Sequence, residues 1–177
     1  VIPTGTMEVL NKTSGAIASG IVSSLLVALA VITLLMIIHL RDWKLGLLAM
    51  VPNLLPIGML FGTMGALGVT LSTGTSIAAS IAIGMIVDET IHFIGAYRAR
   101  RREGLPADDA IRHVFARVGP PIVWSAAILV AGFAVLVLSA FLPLVWLGIF
   151  MAVTIAVSLL ADLLVLPAFL LLTDRGR

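Results

Sequence analysis

Small and ionisable residues recur at every fourth position of one apolar segment, and they are the side chains best suited to chemistry. They are Ser76, Ser80, Gly84, Asp88 and His92. A spacing of four places them on one face of an α-helix. The adjacent Glu89 adds a second carboxyl group to the carboxyl of Asp88 and the imidazole of His92. Because an ionisable side chain inside a membrane costs on the order of 3 kcal/mol or more, we expect these three groups to relay protons or another ion.

The two carboxyl groups and the imidazole lie within five residues of one another. Two like charges this close cannot both persist in a low dielectric, so we expect at least one carboxyl of Asp88 and Glu89 to hold a proton. A proton relay requires such a group. A static salt bridge between Asp88 and His92 is the alternative. Glu89 points about 100° away from Asp88 on a helix, so it can face a different neighbour.

The small residues Ser76, Ser80 and Gly84 form a small-xxx-small pattern, which lets another helix approach closely. Two interpretations remain open. The pattern can serve packing inside the bundle to which its helix belongs, or it can contact a second, related bundle.

The composition is that of an integral membrane protein. The chain has 177 residues, of which 60% are hydrophobic and 11% charged, whereas soluble domains have about 25% charged residues. Cysteine is absent, which excludes disulfides, thiolate metal sites and cysteine nucleophiles. The sequence starts at Val1 without a signal-peptide pattern, and we expect it to be a piece of a longer protein.

Apolar segments long enough to cross a membrane predict an all-α bundle of five transmembrane helices. Their approximate ranges are 19–40, 45–66, 72–97, 121–141 and 144–172. Pro52 and Pro56 should kink the second helix. Residues 1–14 are polar and are interpreted as an extracytoplasmic lead-in, and residues 15–177 as the transmembrane domain.

The basic residues predict the orientation. Ten of the eleven lysines and arginines fall at one set of helix ends, and Lys12 is the exception. Loops rich in lysine and arginine stay in the cytoplasm. We therefore expect a multi-pass protein of the inner (plasma) membrane, with the N-terminus outside and the C-terminus inside.

The longest connection, residues 98–119, contains six of these arginines. Asp108 and Asp109 are typical of a first helical turn, and apolar residues then line one face up to Val118. This predicts an amphipathic helix at residues 107–118 on the cytoplasmic surface. It is either a coupling or anionic-lipid element, or a linker whose arginines set the topology.

Polar residues on the other helices lie at about the depth of Asp88. Asp88 is ten residues from Arg98, or ~15 Å along the helix, and Asn53, Ser125, Asp162 and Thr33 lie at similar distances from their own cytoplasmic ends. We interpret Asn53, Ser125 and Asp162 as a polar layer that supports the relay near the membrane midplane.

Each of these residues also has a simpler explanation. Thr33 and Ser125 can bond the backbone of their own helix. Asn53 can satisfy the backbone loosened by Pro56. Asp162 can belong to a buried network that does not titrate.

Several motifs resemble those of one family. The segment from Gly84 to Asp88 fits the GxxxD pattern of the resistance-nodulation-division (RND) transporters, and IAIGMIVDETIHFIGAYRARRREG resembles their MMPL-type branch, which is related to sterol-sensing-domain proteins. The segment from Gly46 to Pro56 is similar to the family's third helix. Asp162, with Pro167 five residues later, is similar to the last helix of a half.

This resemblance implies that the chain is half of a transporter membrane domain, comparable to helices 8–12 of twelve. It also implies proton-driven export of lipids or hydrophobic compounds, with Asp88 as a relay carboxylate and Glu89 as a second acid. The implied partners are membrane lipid, the other half and a hydrophobic substrate, in an oligomer. No cofactor and no nucleic-acid partner are expected.

Two alternatives remain: a sterol-sensing-like module that binds lipid or regulates without transport, and a SecDF-like subunit that aids protein export. An intramembrane hydrolase is disfavoured because no serine has an evident base partner. A zinc site is disfavoured because His39 and His113 lie at cytoplasmic helix ends, ~15 Å or more from the centre of the stripe.

Overall fold

The computed structural model describes residues 4–69 and 73–174, and within these ranges every regular element is helical. Five helical segments are long and apolar enough to cross a membrane. The predicted all-α bundle with five spans is therefore confirmed.

The helices follow one another with short connections. They are α1 (Thr4–Leu40), α2 (Trp43–Ala66), α3 (Thr73–Arg102), α4 (Ala107–Arg117), α5 (Gly119–Val135), α6 (Leu142–Leu160) and α7 (Leu166–Asp174). A single 3-10 turn, Leu136–Leu138, extends α5, and a π-helical segment, Ala161–Val165, joins α6 to α7. The fifth span is thus one continuous helical segment, Leu142–Asp174.

Most predicted boundaries lie within a few residues of the observed ones. The largest difference is in α1, which begins at Thr4 instead of near residue 19. Residues 4–14 of the predicted lead-in therefore continue the first helix, whereas residues 1–3 lie outside the described residues. Pro52 and Pro56 both lie inside α2, which runs through them as one helix.

Local sequence explains where the helices end and begin. The Asp42 carboxylate caps α2 by accepting hydrogen bonds from the backbone N–H groups of Lys44 and Leu45, at 3.0 and 3.3 Å. Gly68 follows α2 with a φ of 64°. Its N–H bonds the carbonyl of Gly65, and the next N–H, of Val69, bonds that of Met64. This is the Schellman arrangement, which favours glycine at the left-handed position.

Two buried apolar clusters hold the bundle together. One contains Ala49, Phe93, Ile94 and Leu166, and the other contains Ile57, Ile86 and Ile155. Along α2, α3 and the fifth span, four buried polar residues lie between members of the two clusters: Asn53, Thr90, Ser158 and Asp162. A fifth, Thr154, lies among members of the second cluster.

Helix α4 occupies the position of the predicted amphipathic helix. Its Ala110, Ile111 and Val114 are buried in the same cluster as Phe93. The Phe115 ring meets the Phe93 ring edge to face, with centroids 5.6 Å apart. The apolar face of α4 thus packs on the end of the bundle and is covered by protein.

A polar clamp fastens the end of the fifth span to α3. The Tyr97 hydroxyl donates to Asp174 Oδ2 at 2.6 Å, and Arg101 Nη2 donates to Asp174 Oδ1 at 2.9 Å. Arg101 Nε lies 2.5 Å from Asp174 Oδ2. Charge-assisted bonds of this kind are stronger than neutral ones.

We predict that Gly148→Ala destabilises the bundle. A Cβ at Gly148 would lie 2.6 Å from the carbonyl oxygen of Phe133 and 3.0 Å from Leu136 Cβ, so α5 and α6 would have to separate. Overpacking of this kind typically costs about 1–3 kcal/mol. Gly132→Ala on α5 is the matched control, because a Cβ there meets nothing within 4 Å. The free energy of unfolding of each variant can be measured in mixed micelles. Equal stability of the two variants would contradict the close contact of α5 with Gly148.

Candidate functional site

Helix α3 separates two groups of polar side chains. Asp88 and His92 point outward from the bundle, whereas Thr90 points inward and is 0% exposed. Glu89 lies between these directions and is half-buried. The two groups arise from the helical period, since residues two apart lie on nearly opposite sides.

The outward group forms an open acid–histidine pair. His92 Nε2 lies 3.6 Å from Asp88 Oδ1, and the two side chains are 68% and 74% exposed. The pair borders a groove of about 660 Å³ that also includes Glu89 and Ser125. The groove reaches His39, near the end of α1.

This exposure has a physical consequence inside a membrane. Asp88 and His92 lie within the third span, Ala78–Arg102. A charged side chain that faces lipid at such a position costs on the order of 3 kcal/mol. Protein or water must therefore cover the pair.

The small residues lie on the same outward face. Ser80 and Gly84 are exposed, and a Cβ at Gly84 would meet nothing within 4 Å. Both border a groove of about 220 Å³ shared with Ser24 and Ala28 of α1. The backbone of Ser76 belongs to α3, but its side chain lies outside the described residues. Tight packing inside this bundle therefore does not explain Gly84.

The inward group is a three-residue network, which joins three helices. Thr90 Oγ1 lies 2.7 Å from Asn53 Oδ1 on α2 and 2.7 Å from Asp162 Oδ1 on the π-helical segment. Asn53, Thr90 and Asp162 are 0%, 0% and 1% exposed. We call these three residues the Thr90 network.

The Thr90 network has fewer donors than contacts. One hydroxyl supplies a single proton, yet Thr90 Oγ1 lies within hydrogen-bond distance of three oxygen atoms that ordinarily accept: those of Asn53 and Asp162, and the backbone carbonyl of Ile86 at 3.4 Å. Among the described side chains, Asn53 Nδ2 and Asp162 Oδ2 are buried without a hydrogen-bond partner. Glu89 Oε2 is likewise buried without a hydrogen-bond partner. Buried polar atoms without partners are costly, so such a cluster is a candidate functional site.

An irregular, π-helical segment of the backbone determines where the side chain of Asp162 lies. Pro167 has no N–H and cannot continue the regular helical pattern across this segment. Upstream of it, the N–H of Leu166 bonds the carbonyl of Ala161, five residues back, which is the π-helical spacing. Single π-helical turns often occur at functional sites. The extra residue in this turn changes the direction in which Asp162 points.

The structure does not bring all residues of the predicted polar layer together. Thr33 donates to the carbonyl of Leu29 at 2.7 Å, which confirms the backbone-bonding explanation for that residue. Ser125 donates to the carbonyl of Ile122 at 2.9 Å and borders the outward groove instead of the network. Asn53 contacts Thr90 through its amide oxygen while its amide nitrogen is unpaired, so it does not satisfy the backbone near Pro56.

Sequence reasoning overlooked Thr90. It is the polar member of a buried helix face that otherwise contains Ile83, Ile86, Phe93 and Ile94. A single hydroxyl on an apolar face is the signal that could have identified it. Its neighbours Asp88, Glu89 and His92 gave a stronger signal because their side chains ionise.

Comparison with known protein families matches residues 3–177 to the model of the MMPL family. A membrane protein of Methanocaldococcus jannaschii is 30% identical over 149 residues, which are 84% of this chain and 38% of that protein. The toluene efflux pump membrane transporter TtgB of Pseudomonas putida is 27% identical over 134 residues, which are 74% of this chain and 12% of TtgB. The multidrug/solvent efflux pump membrane transporter MepB of the same species matches with the same values. The chain thus spans well under half the length of each of these relatives.

We predict that Thr90→Val destabilises the bundle by about 1–3 kcal/mol, since it leaves Asn53 Oδ1 and Asp162 Oδ1 without the hydroxyl. Thr154→Val is the matched control. Thr154 is equally buried, but its hydroxyl donates to the carbonyl of Phe150 in its own helix, at 2.6 Å. Unfolding in mixed micelles measures both variants. Equal losses would show that the Thr90 network adds nothing to stability.

Proposed function

This chain belongs to the MMPL family, and from that premise we propose that it is the membrane half of an RND-type exporter driven by proton flow. The supporting observation is the acid–histidine pair Asp88–His92, which is exposed on the outside of the bundle within a membrane span. Both groups can bind and release protons. A purely structural salt bridge has no need of an open groove.

The proposed cycle begins when Asp88 takes up a proton from the extracytoplasmic side. Glu89 and His92 assist its passage, and the proton leaves to the cytoplasm. The groove beside Asp88 supports this direction because it reaches Val118 and Pro121, where α5 follows the arginine-rich connection. Loss of the Asp88 charge removes the cost of contact with an apolar surface, so α3 can shift against the helix that covers it.

We further propose that a second, related half covers this outward face. Ser80 and Gly84 allow close approach of a helix, and the Asp88–His92 pair needs cover from lipid. The two halves would then enclose the relay between them. The placement of the basic residues supports a cytoplasmic C-terminus in the inner membrane.

The proposed cargo is a lipid or another hydrophobic compound. Two relatives are named for the efflux of toluene and of drugs or solvents, and hydrophobicity is common to toluene and organic solvents.

We predict that Asp88→Asn in the full-length protein abolishes export that depends on a proton gradient. The amide has nearly the shape of the carboxyl group but cannot exchange a proton near neutral pH. Proteoliposomes with an imposed gradient measure this. Asp109→Asn is the control, because Asp109 is an exposed residue of helix α4, outside the five membrane-spanning segments.

Normal gradient-driven export by Asp88→Asn would refute the proton-relay assignment. Specific lipid binding that survives this substitution, in a protein that shows no export in either form, would instead identify a lipid-sensing module.

We predict that a spin label at Ser80→Cys is mobile in the isolated 177-residue chain and immobilised in the full-length protein. The chain has no native cysteine, so the label is unique in the isolated chain. Ile128→Cys on α5, where the native side chain is 68% exposed, is the control and should remain mobile in both. A Ser80 label that stays mobile in the full-length protein would contradict a partner on this face.

A further inference from the structure

We propose that Asp162, Thr90 and Asn53 form a second, buried proton-binding site, in which the proton on Asp162 determines how Asn53 of α2 bonds to Thr90 of α3. This inference rests on the proposed proton coupling and extends it inward from the groove. The observation behind it is the hydroxyl of Thr90, which lies 2.7 Å from an oxygen of each of the other two side chains.

Among the residues that the structure describes, those around Asp162 provide no cation. The segment that contains it packs on α2, α3, α6 and α7. Helix α6 has no ionisable side chain, and Asp174 is the one in α7. In α2 the charged residue is Lys44, nine residues from Asn53, or ~14 Å along the helix. On α3 the titratable group close enough to interact with Asp162 is Glu89, which is another acid.

A carboxylate that is 1% exposed and lacks a cation is costly unless a proton or hydrogen bonds neutralise it. The described contacts of Asp162 Oδ1 include the Thr90 hydroxyl, and Oδ2 has no partner among the described residues. Its charge therefore depends on two hydroxyl groups, that of Thr90 and that of the nearby, buried Ser158.

The observed positions suit a protonated Asp162. With the proton on Oδ1, Asp162 donates to Thr90 Oγ1, and Thr90 donates to Asn53 Oδ1. Both 2.7 Å contacts then contain a proton. Asn53 Nδ2 remains without a partner, as the structure shows.

Loss of that proton reverses one bond. Thr90 then donates to the Asp162 carboxylate, so no proton remains between Thr90 Oγ1 and Asn53 Oδ1. Two oxygens that face each other without a proton repel. The amide of Asn53 must then rotate by about half a turn so that Nδ2 donates to Thr90, or α2 must move away from α3.

Glu89 links this site to the groove. It is close enough to both Asp88 and Asp162 for charges to interact, and it borders the same groove as Asp88. In the transfer step, the O–H bond of protonated Glu89 breaks and an O–H bond forms on the Asp162 carboxylate. Glu89 becomes the carboxylate, and total charge is unchanged.

The site is positioned to convert protonation into helix movement. Asn53, Thr90 and Asp162 lie between the two apolar clusters, on three different helices. The clusters above and below are close-packed and resist gradual deformation. A change in the α2–α3 contact at this level therefore favours a discrete shift of one helix against the other.

Infrared difference spectroscopy of the full-length protein tests the proton on Asp162 directly. In an Asp88→Asn background, we expect a protonated-carboxyl band that disappears when Asp162→Asn is added. Thr90→Val should shift this band because its hydrogen-bond partner is lost, and Thr90→Ser should leave it in place. The proposal is overturned if the band persists when Asp162→Asn is added, or if Thr90→Val does not shift it.

Gradient-driven export tests whether the site is used. We expect Thr90→Val to lose about tenfold or more in rate, as the loss of a buried hydrogen bond would suggest, while Thr90→Ser retains most of it. Thr154→Val controls for removal of a buried threonine hydroxyl, and circular dichroism checks folding. If Thr90→Val cannot be folded, Thr90→Ser and the Asp162→Asn band decide the outcome.

The two proposals fail differently. If Asp88→Asn stops export but Thr90→Val behaves like Thr154→Val, the buried site is wrong and the outward relay stands. If Asp88→Asn exports normally under the gradient, the proton relay assigned to Asp88 is wrong, whatever the infrared band shows.

Discussion

Hydrocarbon offers no hydrogen-bond partner, and the arrangement of polar groups in this bundle follows from that constraint. Thr33 and Ser125 meet it by bonding the carbonyls of Leu29 and Ile122 in their own helices. Asn53 and Asp162 meet it through Thr90, across three helices. The Asp88–His92 pair has no such cover within the described part of the chain, since both side chains are largely exposed. The polar groups on the inward side of α3 are therefore covered by the bundle itself, whereas the Asp88–His92 pair on the outward side is not.

The two faces of α3 have different physical properties. On the outward face, the groove admits water or a partner, and small residues permit close approach of a helix. On the inward face, apolar clusters surround a network with too few protons for its contacts. Glu89 lies between them and interacts with an acid on each side. One helix thus connects an accessible acid to a buried one.

Backbone irregularities near the buried acid contribute to this arrangement. Pro52 and Pro56 flank Asn53 in α2, and Pro167 follows the π-helical turn that contains Asp162. Proline removes backbone donors and weakens regular hydrogen bonding on both helices. Helices weakened at the same level can shift more readily than ideal ones. The regular α3 lies between them and supplies the hydroxyl that joins them.

The sequence alone determined the five spans, the amphipathic α4 and the spacing that groups Asp88 with His92, because these depend on local hydrophobicity and helical period. It also placed Asn53 and Asp162 near one depth. It did not identify Thr90, because a lone hydroxyl matters only once Asn53 and Asp162 are brought to it from 37 and 72 residues away. The tertiary structure alone decided that Asp88 faces outward and Asp162 inward. Helix rotation within a bundle is set by long-range packing, which no local pattern encodes.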